Sequence, residues 1–135
     1  MRLPVFIFFV IILGITTSCR EKYDLHINHE DIDYIELVWV EHHYHNETPD
    51  HFKLPLEKMQ AFMDDFEHAH AIDSPNKNTC FEIVFYLKNG DYLNYASNGR
   101  FLLDIRHGSY FEFGTKQNLI TKYWGLHERD HCLKD

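Results

Sequence analysis

The chain predicts an α+β fold in two layers: an antiparallel sheet of about four to six strands with two helices packed on one face. Three observations predict it. Residues 79–113 alternate apolar and polar side chains between turn signals, the pattern of a strand meander. Leu56, Met59, Phe62, Met63, Phe66 and Ala69 follow helical spacing. Leu119, Ile120, Tyr123 and Trp124 repeat that spacing further on. Each helix here stands beside a run of strands and does not alternate with single strands. That order suits an antiparallel sheet with one covered face.

The first strand is expected over residues 32–44. Ile35, Leu37 and Trp39 share one face, and Tyr34, Glu36, Val38 and Val40 share the other. Residues 46–50 carry turn chemistry, and residues 51–54 return as a hairpin partner. Pro55 suits the first position of the helix that follows. Asp73, Ser74, Pro75 and Asn76 are expected to end that helical region.

Phe81, Ile83, Phe85 and Leu87 then line one face of a strand that ends in Asn89-Gly90. That pair predicts a two-residue hairpin with positive φ at both positions. Ser97-Asn98-Gly99 makes the next turn, and Phe101, Leu103 and Ile105 are expected to line one face of the strand after it. His107-Gly108-Ser109 turns into a last strand over residues 110–113. Thr115 is the expected N-cap of the second helix. Gly125 suits the left-handed position that ends it, with Leu126 as the hydrophobic contact beyond.

The N-terminal stretch supplies an address. Arg2 is charged, residues 5–15 are an apolar run with one glycine, and Thr16, Thr17 and Ser18 are small and polar. These are the parts of a secretory signal peptide. The run is too short to span a bilayer, which needs about 20 apolar residues. Thr16-Thr17-Ser18-Cys19 resembles the lipobox of bacterial lipoproteins, with Thr16 where that class usually carries Leu.

The resemblance implies that residues 1–18 are removed and that Cys19 is lipidated and becomes the mature N-terminus. It also implies several acyl chains, which hold far better than the marginal grip of one. The expected location is the bacterial cell envelope, lipid-anchored and facing periplasm or cell exterior. Residues 19–31 then form a tether, and residues 32–135 a single domain with a polar tail.

The signal carries Arg2 and no acid, so its removal leaves 12 Lys and Arg against 21 Asp and Glu, a net charge of −9. That charge disfavours nucleic acid as a partner. The partners expected are the membrane, through the lipid, and an envelope protein or glycan. With Cys19 lipidated, Cys80 and Cys132 remain as a disulfide pair, the usual state of leftover cysteines outside the cytoplasm. Such a bond closes a loop of about 50 residues and stabilises by about 4 kcal/mol on the chain-entropy account.

Candidate chemistry is sparse. His127-Glu128-Arg129-Asp130-His131 resembles the His-Glu-x-x-His signature of zinc metallopeptidases, in which both histidines bind zinc and the glutamate activates water. Gly125 ends the helix before the motif, and the two middle positions are charged, whereas the signature needs a helix to aim both histidines. His43 and His45 share a strand face, and His51 lies beyond the turn. Together they are a candidate zinc or copper set, set against the plainer reading of a solvated strand end.

Asp64, Glu67, His68 and His70 are expected on the exposed side of the first helix. Tyr86, Tyr92, Tyr95 and Tyr110 are expected on the sheet face away from the helices, a surface suited to protein or glycan contact. There is no Gly-x-Ser-x-Gly elbow, phosphate loop or dinucleotide fingerprint. The leading expectation is a non-enzymatic binding module needing no cofactor. A histidine-rich metal-binding protein is the alternative, and a metallopeptidase comes third.

Overall fold

A computed structural model describes residues 25–40 and 51–126. They form a seven-stranded antiparallel sheet with two helices, an α+β fold. The strands are β1 (Ile32–Trp39), β2 (His51–Lys53), β3 (His70–Ile72), β4 (Phe81–Leu87), β5 (Tyr92–Ser97), β6 (Phe101–Asp104) and β7 (Ser109–Glu112). Their order across the sheet is β2-β1-β4-β5-β6-β7-β3. Helix α1 (Leu56–Glu67) follows β2, and helix α2 (Leu119–Trp124) follows β7.

The sheet exceeds the expected four to six strands because of β3. Helical spacing suggested that the first helix ran on through Ala69. The helix stops at Glu67, and His70–Ile72 then pairs with β7 at the far edge. Three residues are too few for alternation to register.

Both helices lie on one face. Phe62, Met63 and Phe66 of α1 are fully buried, and so are Leu119 and Ile120 of α2. They meet Ile35 and Leu37 of β1, Phe81, Ile83 and Phe85 of β4, Tyr95 of β5 and Leu102 of β6 in one contiguous core. Phe66 packs edge-on against Phe85 at 4.8 Å and against Tyr95 at 5.2 Å, the arrangement that ring quadrupoles favour. Leu56, expected in this stripe, is 78% exposed.

The expected tether contributes to this core as well. Leu25 and Ile27 are buried in it, and a 3-10 turn (His29–Asp31) leads into β1. The packed domain therefore includes residue 25, seven positions before the boundary expected at Ile32.

Two local readings change for physical reasons. In β6 the core residue is Leu102, which pairs across to Ser97 and Phe111. Phe101 and Leu103 share the other face, as their spacing predicts, but Ile105, expected with them, lies in the following turn, exposed. A run of Phe-Leu-Leu offers no alternation from which to choose a face. At the β4–β5 turn only Gly90 has positive φ, at 90°. Leu87 accepts from the Gly90 N–H at 2.9 Å, and the Leu87 N–H donates to Asp91 at 2.8 Å. This is a three-residue loop closed by a left-handed glycine, the next commonest hairpin after the two-residue type expected.

The second helix starts later than Thr115, whose hydroxyl instead donates to the Gln117 carbonyl at 2.7 Å. The N-cap is Asn118, fully buried. Its Oδ1 accepts from Ile120 N–H at 2.9 Å, and its Nδ2 donates to the Asn98 carbonyl at 2.9 Å. The Leu119 N–H donates to the Gly99 carbonyl at 2.8 Å. Asn98 in turn accepts from Arg100 and Phe101 N–H, and Ser97 Oγ accepts from Gly99 N–H at 2.8 Å while donating to the Phe101 carbonyl. Ser97, Asn98 and Asn118 are thus a satisfied buried network that pins α2 to the β5–β6 turn. Gly99 adopts φ 86°, and a Cβ there would run into the Asn118 side chain. Gly125 ends α2 at φ 78°, as the sequence predicts, and Leu126 packs against the core.

This junction makes a prediction. Asn118→Ala removes a cap and strands the Asn98 carbonyl, and should cost about 2–4 kcal/mol in urea unfolding. Gly99→Ala should cost at least as much, because the backbone there is left-handed and the space is taken. A loss below about 0.5 kcal/mol for Asn118→Ala, the range of an ordinary surface change, would show that the junction carries no stability.

Candidate functional site

With both helices on one face, the residues of alternate parity line the other. On β2, β1, β4 and β5 these are Lys53, Glu36, Tyr34, Tyr86 and Tyr92, brought side by side by the strand register. Lys53 pairs with Glu36, Tyr34 with Tyr86, and Tyr86 with Tyr92. The result is a ladder across four strands. The Lys53 ammonium lies 4.1 Å from the centre of the Tyr34 ring, a cation–π contact. Tyr34 stacks on Tyr86 with ring centres 4.4 Å apart and planes 18° apart. Tyr86 meets Tyr92 at 6.4 Å, tilted by 42°. Tyr92 is 62% exposed and forms the outer end of the row.

Glu36 borders this ladder, next to Tyr34 on the outer face of β1. Burial pushes the Tyr86 phenol above its ordinary value, and the neighbouring Glu36 carboxylate, as charge and as hydrogen-bond acceptor, pushes it the same way. The Glu36 carboxylate also lies 3.8 Å from His51 Nδ1. Tyr34 and Tyr86 use one ring face each on the other, and Lys53 and Tyr92 flank the pair on its two outer sides. The row offers a partner its edges, its hydroxyls and the outer face of Tyr92.

The four tyrosines singled out in the sequence are therefore split. Tyr86 and Tyr92 are neighbours in the ladder. Tyr110 lies on the same face, further along, beside Phe101 at 6.3 Å and opposite Leu103 and Ile72. Tyr95 is a correction: it is buried on the helix side, between Phe66 and Phe85. Its parity matches that of Leu93 and Ser97, and counting aromatics without their strand phase obscured this. Tyr34 was missed as a site residue, although its alternation with Ile35 and Leu37 already placed it on the outer face.

Of the histidine set, His51 stands at the β2 edge beside Glu36. His43 and His45 lie outside the described residues, as do His127, Glu128 and His131 of the peptidase-like motif. Among the described residues no group of three or more His, Cys, Asp or Glu is placed to hold a metal ion. The cluster expected on the exposed side of α1 does not form. Glu67 takes His29 at 2.9 Å, and His70 has left the helix to face Glu112 at 3.3 Å.

A second polar centre was not legible in the sequence. Asp104, at the end of β6, is fully buried. Its carboxylate accepts from the Arg106 N–H at 3.0 Å and lies 2.9 Å from His107 Nδ1. Arg106 Nη2 donates to the Tyr95 hydroxyl at 3.0 Å. This is how a buried carboxylate is tolerated: its charge is paired and its oxygens are hydrogen-bonded within its own turn. It ties the β6–β7 turn to the core through Tyr95.

Cys80 is fully buried and disulfide-bonded. The two other cysteines of the chain, Cys19 and Cys132, lie outside the described residues. Comparison with family models, curated proteins and solved structures finds no match to this chain.

The ladder predicts an alkaline titration. Tyr86 should release its proton above the ordinary phenol value of 10.0, as followed by phenolate absorbance against Tyr86→Phe. Glu36→Gln should lower that midpoint only part of the way, because burial is the larger cause and persists. The native phenol holds its proton more tightly than the unfolded one. Its contribution to stability is therefore present below about pH 10 and lost as pH rises past the native value. An unshifted Tyr86 would break the link between Glu36 and the ladder.

Proposed function

We propose that this protein is a non-enzymatic binding module of the bacterial cell envelope, held to the membrane by lipid on Cys19, and that it engages a protein partner through the Tyr34–Tyr86–Tyr92 ladder. The observation that carries the reading is the ladder itself: three tyrosines aligned across three strands on the face that the helices leave uncovered. Tyrosines supply large contact area with little rotamer entropy to lose, and a hydroxyl for a directed bond. A protein fits better than a glycan, because sugar recognition favours open ring faces and those of Tyr34 and Tyr86 are stacked on each other. Lys53 and Glu36 border the row with one charge of each sign, which suits a partner surface of mixed polarity. Among the described residues no helix is long and apolar enough to cross a membrane.

The test is site-specific photocrosslinking in intact envelopes. A crosslinker at Tyr92 should capture one discrete protein, and one at Gln117, exposed just before α2, should not. Tyr86→Ala should weaken the purified complex by about 30-fold, the scale of an interface hot spot. Equal capture from both positions, or an affinity indifferent to Tyr86, would dismiss the ladder as the contact surface.

The anchor has a separate check. If Cys19 carries lipid, the disulfide partner of Cys80 is Cys132. Peptide mapping without reduction should then find a Cys80–Cys132 crosslink and an acylated N-terminal Cys19. Reduction should cost roughly 4 kcal/mol of stability. A Cys80–Cys19 crosslink would remove the lipid anchor outright.

A further inference from the structure

The proposed anchor and the fold together orient the domain. Leu25 and Ile27 are locked in the core, and only five residues separate Cys19 from Leu25, a span of six residue steps. A fully extended chain covers at most about 3.5 Å per residue, so Leu25 lies within roughly 20 Å of the lipidated residue. That is less than the width of the domain, so one particular end must face the bilayer.

The end is identifiable. The 3-10 turn at His29–Asp31 lies there, and so does the β4–β5 turn, because the Lys88 N–H donates to the Asp31 carbonyl at 2.8 Å. Pro55 and Leu56 lie there too, because β2 runs antiparallel to β1 and Leu54 N–H donates to the Ile35 carbonyl. Leu56 is the most exposed of the large apolar side chains of the described residues. It borders a groove of about 210 Å³ lined by His29, Ile32, Met59, Gln60 and Met63. The opposite end holds the Asn98–Gly99 turn and the start of α2.

We infer that this end, with Leu56 and its groove, rests on the phospholipid surface. The inference depends on the Cys19 anchor proposed above. The tether supplies the proximity, and Leu56 supplies apolar area to bury at the interface. The charges beside it are mixed: Lys88 and Lys58 stand among Glu30, Asp31, Glu57 and Asp91. Attraction to anionic lipid is therefore not what seats the domain, and a zwitterionic bilayer suffices. The tyrosine ladder, whose Tyr86–Tyr92 pair adjoins the β4–β5 turn, then runs parallel to the bilayer on the sheet face just above it.

The experiment uses the full lipidated protein in phosphatidylcholine vesicles that contain a spin-labelled quencher lipid. Single fluorophores are placed through Leu56→Cys, Asn89→Cys and, at the opposite end, Gln117→Cys, all at exposed positions. Quenching should be about threefold stronger at 56 and 89 than at 117, as expected for side chains at the headgroup level. Equal quenching at all three positions in protein that sediments with vesicles, or stronger quenching at 117, overturns the orientation and leaves the anchor standing. An unmodified Cys19 by mass, with protein that fails to sediment with vesicles, overturns the anchor and this inference with it.

Discussion

The Phe66 ring is the point on which the rest of the structure turns. It sits at the last full turn of α1 and meets rings from α1, β4, β5 and the chain after β7: Phe62, Phe85, Tyr95 and Phe113. One side chain thus fixes where the helix crosses the sheet. Large aromatic side chains dominate core energetics by area, and edge-to-face contacts add direction to that burial. Once α1 is fixed, Phe62 meets Tyr123 of α2 edge-on at 5.0 Å, and both helices are committed to the same face. The Tyr123 hydroxyl then donates to Asp65 at 2.6 Å, which joins the two helices on their outer side. Burial and that hydrogen bond to a carboxylate both push the Tyr123 phenol well above its ordinary value.

The commitment of both helices to one face is what creates a site. Alternation along β1, β4 and β5 sends Tyr34, Tyr86 and Tyr92 to the other side as a direct consequence of sending Ile35, Phe85 and Tyr95 inward. The cross-strand register then decides which of those side chains touch. The ladder and the core are two readings of one register, and a slip of one residue would exchange them.

Much of this was legible in the sequence where a pattern was long and strict. Alternation over β1 and β4 identified their inner faces, and the 3.6-residue stripe found Phe62, Met63 and Phe66. Turn glycines marked the hairpins, and Gly125 marked the end of α2. What escaped had physical causes. Strand β3 is too short to show a period, and the Phe101-Leu102-Leu103 run is apolar on both faces. Tyr95 is an amphipathic residue whose hydroxyl found Arg106, so nothing in its type said inside or outside. Asn118 and Asp104 are polar side chains that the fold placed in the interior; the partner of Asn118 comes from a turn 20 residues away, and Asp104 is closed over by Arg106 and His107 of its own turn, where residue type alone reads as surface. The candidate site was half visible: Tyr86 and Tyr92 by residue type, but Tyr34 only through the pairing of β1 with β4.

The two outermost strands carry a consequence for the membrane anchoring proposed above. Among the described residues the sheet ends in β2 on one side and β3 on the other, each three residues long. An edge strand is a template on which another chain can pair. Tethering a protein to a membrane raises the rate at which copies meet in a fixed plane, which makes any such template more dangerous. Here the templates are short, and their side chains include His51 and Lys53 at one edge and the solvent-exposed His70 at the other. A sheet that ends this way resists lateral growth into ordered aggregates, so crowding in two dimensions need not become polymerisation.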